Sequence, residues 1–599
     1  MAVLPFTTRP EIQGRFGVVA STHWIATAVG MGILERGGNA FDAACAAGFA
    51  LQVAEPHLNG PGGEMPAIFQ AAHEDAPRVI CAQGTAPALA TIEAFRDRGL
   101  ATVPGSGLLP AVVPGAFDGW MRLLMDFGTM PLRTVLEPAI AYAEQGVPVL
   151  PKIHEFIRRV TPLFNDEWQT SAAVYLDQGK TPPVGAWLAN PKLAATYRRI
   201  IDEAESAQGG REAQIEAARR AWYEGFVAEA IDRFYTHEEV LDSSGSRHKG
   251  LLRGADMAAW RASYEAPVTT RFGDYEVAKC GFWSQGPAML QQLAMLRAAG
   301  VEAMDPVGDT FVHTVCEVAK LAFADREAWY ADPAFTDVPQ ETLLSDAYAQ
   351  ARFALVDDAA SMTLRPGSPE GRAPDIGAAL NVDGSLGEVG HYFSLGEPTV
   401  QPTGESRGDT VHIDIIDREG NMIALTPSGG WLQSAPVIPE LGFCISVRGQ
   451  MFWIDDQAAA KLEPGKRPRT TLSPSFASRD GKPYLAWGTP GGDQQDQWST
   501  LLFLHHVCHG MNLQEAIDTP AFHSEHFPSS FWPRAHALGK LVVEGRFRQA
   551  TIEALKARGH GVNVGDDWSE GRLTACAKDG AILKAAANPR GMQGYAAGR

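Results

Sequence analysis

The stretch GDTVHIDIIDREGNMIAL, residues 408–425, decides how this chain is read. From Thr410 to Ile416 apolar and polar residues partly alternate, the period-two signature of a strand. Asp417 to Asn421 carries turn residues, and Met422 to Leu425 resumes the strand. A hairpin is therefore predicted, with Thr410 at its open end. Immediately upstream, residues 358–408 are rich in Gly, Pro, Ser and Asp, which is loop composition. A long loop ending on a strand threonine is where a cleavable linker would lie.

The chemistry of such a threonine depends on cleavage. A threonine hydroxyl is a poor nucleophile at neutral pH and needs an adjacent base. Breaking the Asp409–Thr410 bond creates an α-amine, whose ordinary pKa of about 7.7–8.0 suits it to take the hydroxyl proton. Strand threonines are common, so Thr410 alone establishes nothing.

Working outward, Gly17 to Ala20 reads as a short strand, and Trp24 to Glu35 as a helix stopped by Gly37-Gly38. Phe41 to Val53 is almost entirely small and apolar, so a buried helix is predicted. His57 to Gly63 (HLNGPGG) is a glycine-rich turn. Helices are predicted over 118–150, 190–235, 311–331 and 497–509, and strands over 442–448, 473–478 and 483–487. No internal repeat or low-complexity tract interrupts them. Of the 599 residues 45% are hydrophobic and 20% charged, with a net charge of −19. That balance excludes an electrostatic nucleic-acid partner. No run of about 18 apolar residues suggests a membrane span, and the N-terminal residues show no secretory signal. Seven scattered cysteines without a CxxC pair read as buried thiols in a reducing, cytoplasmic setting. His505 and His509 share a helix face, but without an intervening glutamate base neither a metal nor a cofactor is expected.

Several fragments fall in a recognisable order: Val19-Ala20-Ser21-Thr22-His23, Arg36 to Ala43 (RGGNAFDA), Val113-Pro114-Gly115 and Phe127 to Pro131 (FGTMP). Glu137-Pro138-Ala139-Ile140 and Ala324-Asp325-Arg326 follow. Then come Asp409-Thr410-x-His412, Asp417-x-x-Gly420-Asn421, Ser473-Pro474, Gly488 to Gly492 (GTPGG), Gly510 to Ala516 (GMNLQEA) and Asn588-Pro589-Arg590. Through them the chain resembles the γ-glutamyltranspeptidase family of N-terminal-nucleophile hydrolases along almost its whole length. The resemblance implies an α+β fold, a four-layer αββα sandwich. It would be made as one proenzyme and cut into a large subunit, 1–409, and a small subunit, 410–599, intertwined in one globule. It implies that Thr410 is the self-cleaving nucleophile and that Ser428 is a second hydroxyl serving its amine. Gly491 and Gly492 would be the oxyanion donors, and Thr470 and Thr471 would stand where a paired serine motif contacts substrate. Ser284-Gln285-Gly286 occupies a loop that borders the pocket in the family.

The departures concern the substrate. The family's carboxylate-gripping arginine is Gln83 here, in Cys81 to Pro87 (CAQGTAP). Its asparagine past the second hydroxyl is Gly430, and its amine-holding aspartate falls near Trp453. A glutamine cannot supply a bidentate cationic fork. The Gly429-Gly430-Trp431 and Phe452-Trp453 stretches suggest a more open or more aromatic pocket. Asp493, after the oxyanion glycines, is a candidate to read the polar end of a substrate, or to cap the next helix. Asp325 and Arg326 are expected to pair with each other.

The expected activity is hydrolysis of a small amide lacking a standard γ-glutamyl head group, with an oxamate-like ω-amide as one form. In this the chain looks like the branch that includes oxamate amidohydrolase. The alternatives are γ-glutamyl transfer or glutathione hydrolysis, and, in another class, an uncut non-catalytic binding protein on the same scaffold. Expected partners are the small-molecule amide and the two subunits of the one precursor; a homodimer stays open.

Overall fold

The computed structural model describes residues 6–381 and 410–599. Thr410 is thus described, whereas Asp409 and the predicted cleavage segment before it lie outside the described residues.

Two seven-stranded antiparallel sheets form the centre. Fourteen strands supply them: β1 (Ile12–Gly14), β2 (Gly17–Ser21), β3 (Ala67–Gln70), β4 (Arg78–Cys81), β5 (Ser263–Glu265), β6 (Val268–Phe272) and β7 (Tyr275–Lys279), then β8 (Ile413–Asp417), β9 (Met422–Leu425), β10 (Ser475–Arg479), β11 (Lys482–Gly488), β12 (Thr574–Asp579), β13 (Ile582–Ala587) and β14 (Tyr595–Gly598). One sheet runs β1-β13-β12-β11-β10-β7-β6 and the other β14-β2-β8-β9-β3-β4-β5. The predicted hairpin is the β8–β9 pair, in register from Ile413 opposite Leu425 to Ile416 opposite Met422.

Alternate side chains of each strand bury on opposite faces. Val18, Ala20, Ile68 and Ala424 from one sheet meet Phe476, Ala486, Cys576 and Ala585 from the other, forming the core between the sheets. Their neighbours Val19, Phe69, Ile413 and Ile415 point the other way, onto helices α1 (Trp24–Glu35), α2 (Ala40–Ala54), α3 (Ala116–Asp126), α4 (Leu132–Gln145), α5 (Pro191–Ser206) and α6 (Arg211–Tyr223). Val277, Leu485, Trp487 and Ala577 pack likewise on α7 (Pro287–Leu296), α8 (Asp309–Trp329), α9 (Gln495–Val507) and α10 (Leu513–Asp518). The result is a four-layer αββα sandwich. Because helices cover both outer faces, the central strands are buried on both sides, which is why their polar/apolar alternation is only partial.

Helix α2 shows how the sequence builds a layer. Asn39 caps it, accepting from the backbone N–H groups of Phe41 and Asp42, and Asp42 reaches back to the Asn39 N–H, completing a capping box. All fifteen of its residues are buried, and small residues permit the close approach. A Cβ on Gly48 would lie 2.5 Å from the Trp120 ring of α3.

Three expectations need correction. Residues 442–448 are not a strand. Gly442 has φ +79°, only single bridges form (Ile438 with Phe443, Gly62 with Ile445), and the chain then turns into a 3-10 helix at Arg448–Met451. Asp325 and Arg326 do not pair with each other, because each is taken by another partner. Asp325 takes Arg352 (3.1 Å), and Arg326 turns to Asp493 and Glu327. Cys508 is only partly buried, unlike the other six cysteines, all of which are free thiols. No described helix is long and apolar enough to cross a membrane.

Candidate active site

Thr410 lies three residues before β8, where the segments flanking three strands continue as single contacts. The Val411 N–H donates to the Pro427 carbonyl (3.1 Å), and Ser428 exchanges both backbone hydrogen bonds with Glu64 (2.8 and 3.0 Å). Thr410 and Ser428 face each other across an antiparallel bridge. This holds the Thr410 hydroxyl 3.2 Å from the Ser428 hydroxyl, to which it donates. Both residues are fully buried.

Ser428 is held in turn by Arg448, whose Nη2 donates to its Oγ at 2.8 Å. The Arg448 Nε faces Glu64 Oε2 at 3.4 Å, with neither side chain exposed. The guanidinium also lies beside the rings of Trp431 (5.1 Å) and Phe531 (5.7 Å). Burial raises the Glu64 carboxyl above its ordinary range, and Arg448 and Ser446 oppose that shift. The tightness of this array dictates Gly429: its φ is +77°, and a Cβ there would sit 2.2 Å from Glu64 Oε2. Beneath Thr410, His412 bonds Thr426 Oγ1 and Asp414 Oδ1 (both 2.9 Å), and Asp414 Oδ2 accepts from Thr574 (2.7 Å). Burial raises the Asp414 carboxyl.

The Gly488–Gly492 turn leaves β11 over His412; a Cβ on Gly488 would lie 2.3 Å from that imidazole. Gly491 has φ +133° and Gly492 φ +49°. Their carbonyls are taken by the Gln494 N–H (2.8 Å) and Gln285 Nε2 (2.9 Å). Among the described residues, the hydrogen bonds of this turn use its carbonyls, which leaves the Gly491 and Gly492 N–H groups for another acceptor.

The residues expected to meet substrate fare differently. Gln83 is buried, with Nε2 on the Gly84 carbonyl (3.1 Å) and Oε1 lacking a partner among the described residues. Thr470 lies against Ser284 through a bridge and accepts from the Gln285 N–H, which places the Ser284–Gly286 loop beside Thr470. Thr471 Oγ1 is buried without a described partner. Trp453 donates from Nε1 to Glu327 (3.2 Å) and lines a chamber of about 390 Å³. Two expectations fail. Gly430 does not open the pocket, because the backbone of Gly62 and Gly63 fills that space, 3.1 Å from where a Cβ would sit. Asp493 neither caps a helix nor is open to substrate. Its Oδ1 takes Arg326 and the Ser530 hydroxyl, and its Oδ2 takes the Ser530 N–H (2.8 Å). Burial alone would raise its carboxyl; Arg326 and Ser530 outweigh that and hold it low.

Glu64, Arg448, Arg469 and Arg534 were not singled out in the sequence. For three of them the signal was there: Glu64, Arg448 and Arg534 are each an isolated charge in an otherwise apolar or glycine-rich run, as in Gly62 to Phe69 (GGEMPAIF) or Phe531 to Arg534 (FWPR), whereas Arg469 sits in a basic run with Lys466 and Arg467. The His505/His509 pair is not a metal cluster. The one group of described residues close enough to hold an ion is His313, Glu317 and His560, and there Glu317 is already paired with Lys320 and Arg365.

The sequence profile of the family described as Gamma-glutamyltranspeptidase matches residues 26–598. The chain is 30% identical to the glutathione hydrolase-like YwrD proenzyme of Bacillus subtilis, over 97% of this chain and 98% of that one. It is 29% identical to the oxamate amidohydrolase proenzyme of Klebsiella pneumoniae, again over 97% and 98%. A solved structure of LmbA2991HD superposes with a TM-score of 0.93 at 50% identity, covering 99% of this chain and all of that one.

Proposed function

The chain belongs to the gamma-glutamyltranspeptidase family, and from that premise we propose that it is a threonine-nucleophile amidohydrolase whose substrate lacks a γ-glutamyl head group. That it is a self-processing enzyme of the amidohydrolase and acylase type follows from the family and its proenzyme relatives. The finer reading rests on one observation above all: Thr410 stands in a buried hydroxyl chain with Ser428, Arg448 and Glu64, beside a turn with two free-facing glycine N–H groups.

In the precursor, Thr410 Oγ attacks the carbonyl carbon of Asp409, and the C–N bond breaks as the acyl group passes from nitrogen to oxygen. Water then hydrolyses that ester, returning the hydroxyl and leaving a free α-amine on Thr410. The products are chains 1–409 and 410–599. In the mature enzyme the amine takes the Thr410 hydroxyl proton while Oγ attacks the substrate carbonyl. The N–H groups of Gly491 and Gly492 donate to the developing oxyanion; one such donor contributes about 3–4 kcal/mol. The proton passes to the departing amine, and water releases the acid from the ester. Ser428, fixed by Arg448, orients the nucleophile.

The substrate reading is supported by Gln83, which offers no cation, and by Trp453, which offers no carboxylate. The oxamate amidohydrolase relative points the same way. Thr410→Ala should leave a single chain of about 64 kDa on a denaturing gel, without amidase activity, where the wild type gives two. Two bands from the variant would overturn self-cleavage at this residue. Wild-type turnover of γ-glutamyl anilide faster than of small ω-amides would overturn the substrate reading.

A further inference from the structure

Beside the Gly491–Gly492 turn lies a cluster of buried charges that the hydrolytic steps do not use. Arg326, Arg469 and Arg534 are each at most 2% exposed. Two buried carboxylates face them. Asp493 pairs with Arg326, while Glu327 pairs with Arg469 (3.0 Å) and Arg326 (3.4 Å). Three guanidiniums against two carboxylates leave one positive charge unmatched. It falls on Arg534, which makes no ion pair with any described residue.

Arg534 is nonetheless firmly held. Its Nη2 donates to the Gln450 and Phe452 carbonyls, and its guanidinium lies 3.7 Å from the Trp453 ring centre. Nη1 has no hydrogen-bond partner among the described residues. The backbone φ is +62°, a conformation unfavourable for a non-glycine residue. Burial pulls the guanidinium pKa down to about 9, with Glu327 the largest opposing influence. Arg534 lines the 390 Å³ chamber together with Trp453, Thr102 and Asn381. Asp455 also lines it, with one carboxylate oxygen on the Gln457 N–H (2.9 Å) and no ion pair to Arg534.

One loop connects the chamber to the reaction centre. Ser530 bonds Asp493, next to the oxyanion turn, and Phe531 packs on Arg448, which holds Ser428. Arg534 is three residues further on.

We propose that Arg534 selects the substrate by binding a carboxylate on the acyl half of the amide. The family's arginine at position 83 is missing, and a guanidinium from a different loop takes over anion recognition with a different geometry. An entering carboxylate supplies the charge the cluster lacks and the acceptor Nη1 lacks. An uncharged acyl group leaves a buried cation unmatched, so the site discriminates against it.

This inference rests on the amidohydrolase reading, and the test keeps the two separable. Wild type, Arg534→Gln and Arg534→Lys are first checked for conversion to two chains, which reports folding and self-cleavage. Each is then assayed on oxamate, succinamate and glutaramate, and on the methyl ester of each. Arg534→Gln should lower kcat/KM on the best carboxylate substrate by ~100-fold, mainly through KM, with Arg534→Lys between. Turnover of the neutral esters should change by less than ~3-fold, as expected when an interaction absent from their complexes is removed. Calorimetry with succinate and glutarate should show binding to wild type that is lost in Arg534→Gln. An Arg534→Gln substitution that changes turnover of the acids and of their esters by the same factor, or changes neither, overturns the inference, as does a wild type that binds neither dicarboxylate. Binding through Arg534 without hydrolysis of any amide would sink the amidohydrolase reading and leave this one standing.

Discussion

Replacing Arg448 with methionine probes the chain of contacts behind Thr410. Methionine keeps much of the volume between Trp431 and Phe531 but removes two interactions: the 2.8 Å bond to Ser428 and the 3.4 Å pair with Glu64. A hydrogen bond from a charged donor contributes about 1.5–3 kcal/mol. If Ser428 is useful only while so held, self-cleavage slows by about 10- to 150-fold. The second loss is structural: removing one partner of a fully buried pair costs about 3–5 kcal/mol. Glu64 limits this cost by taking a proton, since burial already raises its carboxyl and Arg448 no longer opposes. A raised carboxyl gives stability that is present at low pH and lost as pH rises through its folded-state pKa. The variant should therefore melt at progressively lower temperature, by comparison with wild type, as pH rises above the ordinary glutamate range. Adding Glu64→Gln should remove that slope and recover part of the stability, but not the cleavage rate. The assay is conversion of purified precursor followed on a denaturing gel, with thermal melts of the same samples. Cleavage by Arg448→Met within twofold of wild type, or a double variant no more stable than the single one, would refute this reasoning.

Other expectations follow from neighbouring groups. Gly491→Ala places a Cβ 2.3 Å from the Trp498 ring at φ +133°, so the turn must shift, and both self-cleavage and amide turnover should fall by at least ~100-fold, the loss seen when one oxyanion donor is removed. A variant that folds and keeps near-normal rates would remove this turn from the mechanism. Glu55, buried and accepting from the Thr22 hydroxyl (3.0 Å), is pushed by burial to about 7, with Arg572 opposing. The native state then holds a proton that the unfolded chain releases, so stability should drop by up to about 3 kcal/mol as pH rises from about 4.5 to 7. Glu55→Gln should flatten that part of the profile, and an unchanged pH–melting curve would count against the assignment.

The layers were legible because they obey local rules. Trp24–Glu35 and Ala40–Ala54 are bounded by Gly37-Gly38 and the Asn39 cap, and β8 and β9 are joined by Asp417 to Asn421, whose turn residues name the hairpin. Thr410, Ser428 and the Gly491–Gly492 pair came from ordered motifs. What escaped were contacts between residues hundreds of positions apart. Glu64 meets Arg448 across 384 positions, and no periodicity reports such a meeting. The 442–448 segment misled for a related reason. Its apolar run reads as a strand, yet its backbone serves to carry Arg448 under Ser428. Gly430 misled too: a missing side chain reads as space, but backbone occupies it.

The order of strands has a kinetic consequence. With a cut before Thr410, the sheet containing β1 crosses between the two pieces at β1–β13 and β10–β7, and the other at β14–β2, β2–β8 and β9–β3. Before cutting, those ladders form within one molecule, at a rate independent of concentration. Afterwards the same ladders join two molecules, so an enzyme that unfolds must find its missing half by diffusion. Maturation thus turns a reversible folding reaction into a second-order assembly. The mature enzyme should survive dilution while folded, yet recover from denaturant only slowly and in proportion to its concentration, whereas uncut Thr410→Ala should refold at any dilution.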